Sequence, residues 1–157
     1  MSQKPEFHEK KLDALYAFWD ARRNGRAVPA RADFDPIEMR PWLGNLMLVD
    51  WAGGKWVYRL YGTAFVEAFR REMTGKSIDE LPPEQAALLR TEYEKVRADA
   101  APVWRTYSAK FEHATPDGRQ QWQLGQTWER LALPLSDGGS DVSVVLVGAY
   151  RIAGPAV

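Results

Sequence analysis

Hydrophobic positions change their spacing along this chain, and each change marks an element. Leu12, Leu15 and Trp19 recur at helical spacing, with Tyr16 and Phe18 beside them, so a helix is expected over Glu6–Asn24. Glu6 and Glu9 near its start and Arg22 and Arg23 near its end suit the macrodipole, and Asn24-Gly25 offers a C-cap. The stretch GRAVPARADFDP reads as an irregular connector. DPIE then predicts a helix start, with Asp35 as N-cap, Pro36 at the first helical position and Glu38 at the third. Pro41 ends or tightens that turn.

From Leu46 the spacing becomes strand-like. LMLVDW and KWVYRLYG predict two strands joined at Ala52-Gly53-Gly54. A short helix follows Gly62, carrying Phe65 and Phe69 one turn apart and Met73 a further turn on. Gly62 is read as letting the chain leave the sheet sharply, and Gly75 as letting it reverse. PPEQAALLRTEYEKVRADA is the clearest helix, with Pro83 at its first position and a stripe of Ala86, Leu89, Tyr93, Val96 and Ala100. Arg90 and Glu94 are placed for an ion pair one turn apart. PVWRTYSAKFEHA, QTWERLALPLS and VSVVLVGAYRI predict three more strands, separated by the turns TPDGR and DGGSD. Connections this short join neighbours antiparallel. The expectation is an α+β fold: five antiparallel strands, helices packed on one face, and an additional N-terminal helix with its own apolar stripe. We divide the chain into an N-terminal amphipathic helix, residues 1–26, and a single domain, residues 27–157.

Composition narrows the function. With 21 Lys and Arg against 21 Asp and Glu, the balance gives no support for a nucleic-acid binder. The absence of cysteine removes disulfides, thiolate metal sites and cysteine nucleophiles. No stretch has the length of a membrane span and no signal peptide is visible, so the expected location is the cytoplasm. Aromatic residues make up 12% and include seven tryptophans, which must either fill a core or line a space.

Candidate chemistry is sparse. His8 and His113 lie far apart with no clustered carboxylate and read as surface residues, so no metal is expected. Asp33 and Asp35 form a D-x-D pair explained by capping and turn formation. Ser77, Ser108, Ser136, Ser140 and Ser143 lack a nucleophile elbow, and the glycines at 53–54 and 138–139 precede strands rather than helices. Within ERLALPLS, alternation sets Glu129, Leu131, Leu133 and Leu135 on one face, and Trp128, Arg130 and Ala132 on the other. If the leucines face the core, Glu129 points to the helix side, where it either anchors a ligand or sits at the sheet's end. Tyr58 and Leu60 share a parity on their strand. Tyr58, Leu60, Phe65, Phe69, Met73, Tyr93 and Tyr107, with Glu129 and Leu131, are the pocket candidates. The same residues would equally make a filled core.

The order of elements, the stretch YRLYGTAFVEAFRREMTGKSIDEL, VPARADFDP and ERLALPLSDGG together resemble the PAS domain superfamily, in particular a bacterial subfamily of small stand-alone PAS proteins. The resemblance spans roughly Leu12 to Ile152. It implies a non-catalytic sensor or interaction module, with a small, partly apolar ligand between sheet and helices and a separate signalling protein as output. It also implies a homodimer, for which Leu12, Leu15, Tyr16 and Trp19 are the interface candidates, unless that helix packs on the open sheet face. Cysteine-linked flavin or chromophore chemistry has no cysteine here, and the helix AALLRTEYEKVRADA has no axial histidine for haem; the cofactor is unknown. Two other readings stand beside the sensor. One is a ligand-free dimerisation module. The other is a small isomerase-like enzyme using Glu129 with Tyr58 or Tyr107.

Overall fold

The structure, a computed structural model, describes residues 5–114 and 120–152, with side chains outside residues 109–125. The turn TPDGR and the side chain of His113 lie outside the described residues. The elements are α1 (Lys10–Arg22), β1 (Leu46–Ala52), β2 (Lys55–Tyr61), α2 (Thr63–Phe69), α3 (Pro83–Asp99), β3 (Val103–Ala114), β4 (Gln120–Ser136) and β5 (Val142–Ile152). The strands form one antiparallel sheet in the order β2-β1-β5-β4-β3. The expected α+β architecture is therefore present, and α1 begins at Lys10, where Glu9 caps the amide of Lys11.

Both faces of the sheet are covered, and two clusters result. On the inner face, Met47, Val49, Tyr58, Trp128, Ala132, Val145, Val147 and Ala149 meet Phe65 of α2, Met73, Ile78, and Ala86, Leu89, Tyr93 and Val96 of α3. On the outer face, Leu131, Leu133, Leu135, Val144 and Leu146 meet Leu12, Leu15 and Trp19 of α1, with Met39 and Trp42. A strand buried on both faces needs a continuous apolar run rather than alternation, which is what VVLV in β5 supplies.

α1 lies close because β5 carries Gly148 beneath it: a Cβ there would sit 2.5 Å from Leu15 Cδ2. The indole of Trp19 donates to the Pro134 carbonyl at 2.9 Å, and that of Trp42 donates to the Lys11 carbonyl at 2.7 Å. Leu12, Leu15 and Trp19 are thus buried within their own chain, which corrects their reading as a dimer surface; Tyr16 is half-buried. An amphipathic helix beside an open apolar sheet face satisfies its stripe locally.

Several local expectations change. DPIE forms a turn rather than a helix: Asp35 accepts from the Ile37 amide at 2.8 Å, and Pro41 helps open a 3-10 turn at Arg40–Asn45. Glu38 pairs instead with Arg22, and Arg90 with Asp79, while Glu94 accepts from the Trp56 indole at 3.1 Å. Gly62 has ordinary extended geometry, φ −60°; its role is close approach, since a Cβ would lie 2.2 Å from the Gly44 carbonyl oxygen. Gly75 does adopt positive φ, 83°, and turns the chain back along β2. There its amide donates to the Tyr58 carbonyl at 2.7 Å, and the Tyr58 amide donates to the Lys76 carbonyl at 3.0 Å, so this segment covers an exposed strand edge.

Candidate functional site

Strand β4 sets the site by alternation. Arg130 points to the inner face with Trp128 and Ala132, and Glu129 points to the outer face with Leu131. Opposite Arg130 in the ladder stands Arg105 of β3, and Tyr107 stands opposite Trp128. Two like charges directly across a strand pair repel. α3 resolves this by lowering Glu92 between them. Its Oε1 accepts from Arg105 Nε at 2.9 Å, and its Oε2 accepts from Arg130 Nε at 2.8 Å. Arg130 Nη2 donates to the Tyr93 hydroxyl oxygen at 2.6 Å. Tyr58 and Tyr107 lie on the same inner face as Tyr93.

Arg130 is only 2% exposed and Glu92 6%. Burial alone pushes the Glu92 carboxyl up, but the charge and hydrogen bond of Arg130, then those of Arg105, outweigh it and hold it below the usual carboxylate value. Burial alone would favour loss of the Arg130 proton, and the Glu92 carboxylate reverses this. Both groups stay charged. Burial raises the hydroxyl pKa values of Tyr58, Tyr61, Tyr93 and Tyr107, so they stay protonated.

Since the folded-state pKa of Glu92 is depressed, its contribution to stability is complete above the ordinary carboxylate value of 4.5 and is lost as pH falls below it. Melting temperature measured against pH should therefore fall more steeply below about pH 4.5 in the native chain than in Glu92→Gln. Parallel curves would exclude this role.

An aromatic group lies beside the polar centre. Phe65 and Phe69 stack at 6.2 Å between centroids, and Trp128 tilts against them at 5.7 and 5.4 Å. Tyr61 meets Phe65 at 5.6 Å and Tyr58 at 5.1 Å.

Of the pocket candidates, Tyr58, Phe65, Phe69, Met73, Tyr93 and Tyr107 belong to this inner face. Leu60, Glu129 and Leu131 do not. Leu60 is turned outward by a bulge: Val49 pairs with Tyr58 and Leu48 with Leu60, leaving Arg59 as the extra residue. Arg59 then joins Arg31 on the Asp50 carboxylate. Leu131 packs against α1. Arg130, Glu92, Arg105, Trp128 and Tyr61 were not among the candidates. The available signal was Arg130 between Trp128 and Ala132 on an apolar strand face, together with Glu92 flanking the stripe of α3.

Glu129 has a different task. It is 3% exposed, and its two oxygens accept from the amides of His8 and Glu9, each at 2.8 Å. These amides lead into α1, so Glu129 clamps the start of that helix to the sheet. Tyr150, its cross-strand neighbour, buries a hydroxyl without a hydrogen-bond partner; burial, then the charge of Glu9, pushes its pKa up to about 12. In Glu129→Gln an amide NH2 would face one backbone N–H. We expect a loss of about 1–3 kcal/mol and faster hydrogen exchange at His8 and Glu9. Unchanged exchange there would exclude the clamp.

No group of three or more His, Asp or Glu able to hold a metal occurs among the described residues, and no described helix is long and apolar enough to cross a membrane. The five-stranded antiparallel sheet, with α2 and α3 folded over its inner face, buries the polar groups of Arg130 and Glu92 beneath the helices. The chain belongs to the PAS domain family, whose model matches residues 7–135, a span that includes α1. PAS domains are sensor and signalling modules, generally non-catalytic. The fold is similar to that of the PAS domain of Bordetella pertussis BvgS, with a TM-score of 0.52 at 16% identity over 90% of this chain and 88% of that one. A PAS domain from Colwellia psychrerythraea also aligns, with a TM-score of 0.42 at 12% identity, covering 75% of this chain and 98% of that one. A search of curated proteins gave no match.

Proposed function

We propose that this protein is a non-catalytic sensor whose inner face, beneath α2 and α3, takes a small, partly apolar ligand and reports its presence through β4 to α1 and so to a partner protein. The observation that carries this is the placement of two consecutive residues. Arg130 anchors the buried polar centre on the inner face, and Glu129 clamps the start of α1 on the outer face. A shift of β4 that re-seats Arg130 moves Glu129 with it, because adjacent strand residues share a backbone and point to opposite faces. A ligand drives such a change only by binding one state of the clamp more tightly than the other.

A proton-transfer enzyme built on Glu129 is disfavoured: that carboxylate lies on the opposite face from Tyr58 and Tyr107, and both its oxygens accept backbone amides. Protein purified from its native host, denatured and analysed by mass spectrometry, is expected to release a small molecule in near-stoichiometric amount. If host-purified protein releases none, and a broad metabolite screen leaves its melting temperature unmoved, the sensor reading fails.

A further inference from the structure

We infer that Asn24-Gly25, in the turn that ends α1, is a self-modifying site: Asn24 loses its side-chain amide and leaves aspartate or isoaspartate at the foot of the helix. The inference is independent of any ligand on the inner face. It rests on the contrast between the two asparagines of the chain. Asn45 is half-buried, its side-chain amide donates to the Ala149 carbonyl at 3.0 Å, and the bulky Leu46 follows it. The Leu46 amide is itself held by the Leu43 carbonyl. Asn24 is exposed, and glycine follows it. Among the described residues no hydrogen bond holds the Asn24 side chain or the Gly25 amide. The space around Gly25 is open, since a Cβ there would meet nothing within 4 Å.

Asn24 and Gly25 both have positive φ, 48° and 80°, a conformation that these two residue types accept and most others resist. One backbone bond, from the Arg26 amide to the Arg23 carbonyl at 2.9 Å, spans the turn. Little therefore opposes the rotation that brings the Gly25 nitrogen onto the Asn24 side-chain carbonyl carbon. That nitrogen gives up its proton to water and attacks. Its bond to the carbonyl carbon forms, the bond to the side-chain nitrogen breaks, and ammonia leaves as a succinimide ring closes. Water then opens the ring. Attack at the side-chain carbonyl leaves aspartate, and attack at the main-chain carbonyl leaves isoaspartate, with the main chain lengthened by a methylene. One water is consumed and one ammonia released, and nothing is oxidised or reduced.

The product disturbs the end of α1. A carboxylate at position 24 lies at the negative end of the helix dipole, where an anion is unfavourable. The nearby cations are already engaged: Arg22 with Glu38, Arg23 with Asp20 and Arg26 with Asp33. Arg26 also donates to the carbonyls of Arg22 and Arg23, each at 3.0 Å, and so caps the helix. A new carboxylate two residues away competes for that guanidinium. In isoaspartate the longer main chain also spoils the bond between the Arg26 amide and the Arg23 carbonyl.

The test is incubation of the full, folded chain at mildly alkaline pH, with peptide mapping by mass spectrometry at intervals. The free peptide ARRNGRAV, residues 20–28 without their ends, serves as the clock. We expect Asn24 to convert within ten-fold of the peptide's rate and at least ten-fold faster than Asn45 in the same molecules. Asn24→Gly is the control, because glycine keeps the left-handed turn and removes the reacting amide. Aged native chain is expected to melt below fresh chain, while aged Asn24→Gly melts as its fresh form does. Conversion of Asn24 more than ten-fold slower than the peptide, or no faster than Asn45, would overturn the inference. So would an aged native chain, with Asn24 converted, that melts as the fresh chain does.

Discussion

Replacing Arg130 with methionine is expected to cost about 3–5 kcal/mol, because it leaves the Glu92 carboxylate buried with half its partners gone. Arg130 supplies two contacts to Glu92 Oε2, at 2.8 Å from Nε and 2.7 Å from Nη2, and one to Tyr93 at 2.6 Å. Arg105 remains, but it reaches only Oε1 and is partly in water. For a domain of this size the loss corresponds to a fall of roughly 10 °C in melting temperature. The double variant Arg130→Met/Glu92→Leu separates pairing from packing. With both charges removed and apolar volume restored, most of the loss should return, and Arg105 can turn to solvent. Denaturant unfolding of the native chain, both single variants and the double variant gives the coupling directly. If Arg130→Met alone is as stable as the native chain, the buried ion pair does not organise the inner face.

Gly62→Ala is the second large effect, and it acts through sterics. The new methyl would meet the Gly44 carbonyl oxygen at 2.2 Å and its carbonyl carbon at 2.6 Å, both backbone atoms that cannot rotate away. Here β2 passes into α2 directly beneath the 3-10 turn that leads into β1, held by the Gly62 amide donating to the Leu46 carbonyl at 2.9 Å. We expect a loss at or above the usual ~1–3 kcal/mol of overpacking, with α2 displaced. Gly44→Ala is the control. Its Cβ would meet only Thr63 Oγ1, at 3.3 Å, a side-chain atom that can give. Circular dichroism melts of the two variants should differ by several degrees, with Gly62→Ala the less stable. Equal melts would mean the crossing is looser than described.

The sheet and its helices were legible because they rest on periodicity. Ala86, Leu89, Tyr93 and Val96 announce α3 by spacing, and glycine-rich turns announce antiparallel neighbours. The site was only half legible, for two physical reasons. First, Leu131, Leu133 and Leu135 look like the face of a one-sided sheet, whereas α1 covers the second face and makes leucine an ambiguous guide. The alternation of Glu129 and Arg130 was correct, but the face assigned to the interior was not. Second, the bulge at Arg59 reverses the parity of Leu60, and nothing in the sequence marks it. A charged residue among apolar neighbours signals a buried partner, but the partner, Glu92, lies 38 residues away and is joined only by the fold.

These faces meet along β4, and the link between them is the central claim. Hydrogen exchange at the amides of His8 and Glu9 tests it most directly, measured on ligand-loaded and ligand-stripped protein under one set of conditions. The account expects several-fold different exchange at these two amides between the two forms, while the amides of β5 stay equally protected. Identical exchange at His8 and Glu9 in protein shown to be loaded and stripped would contradict it.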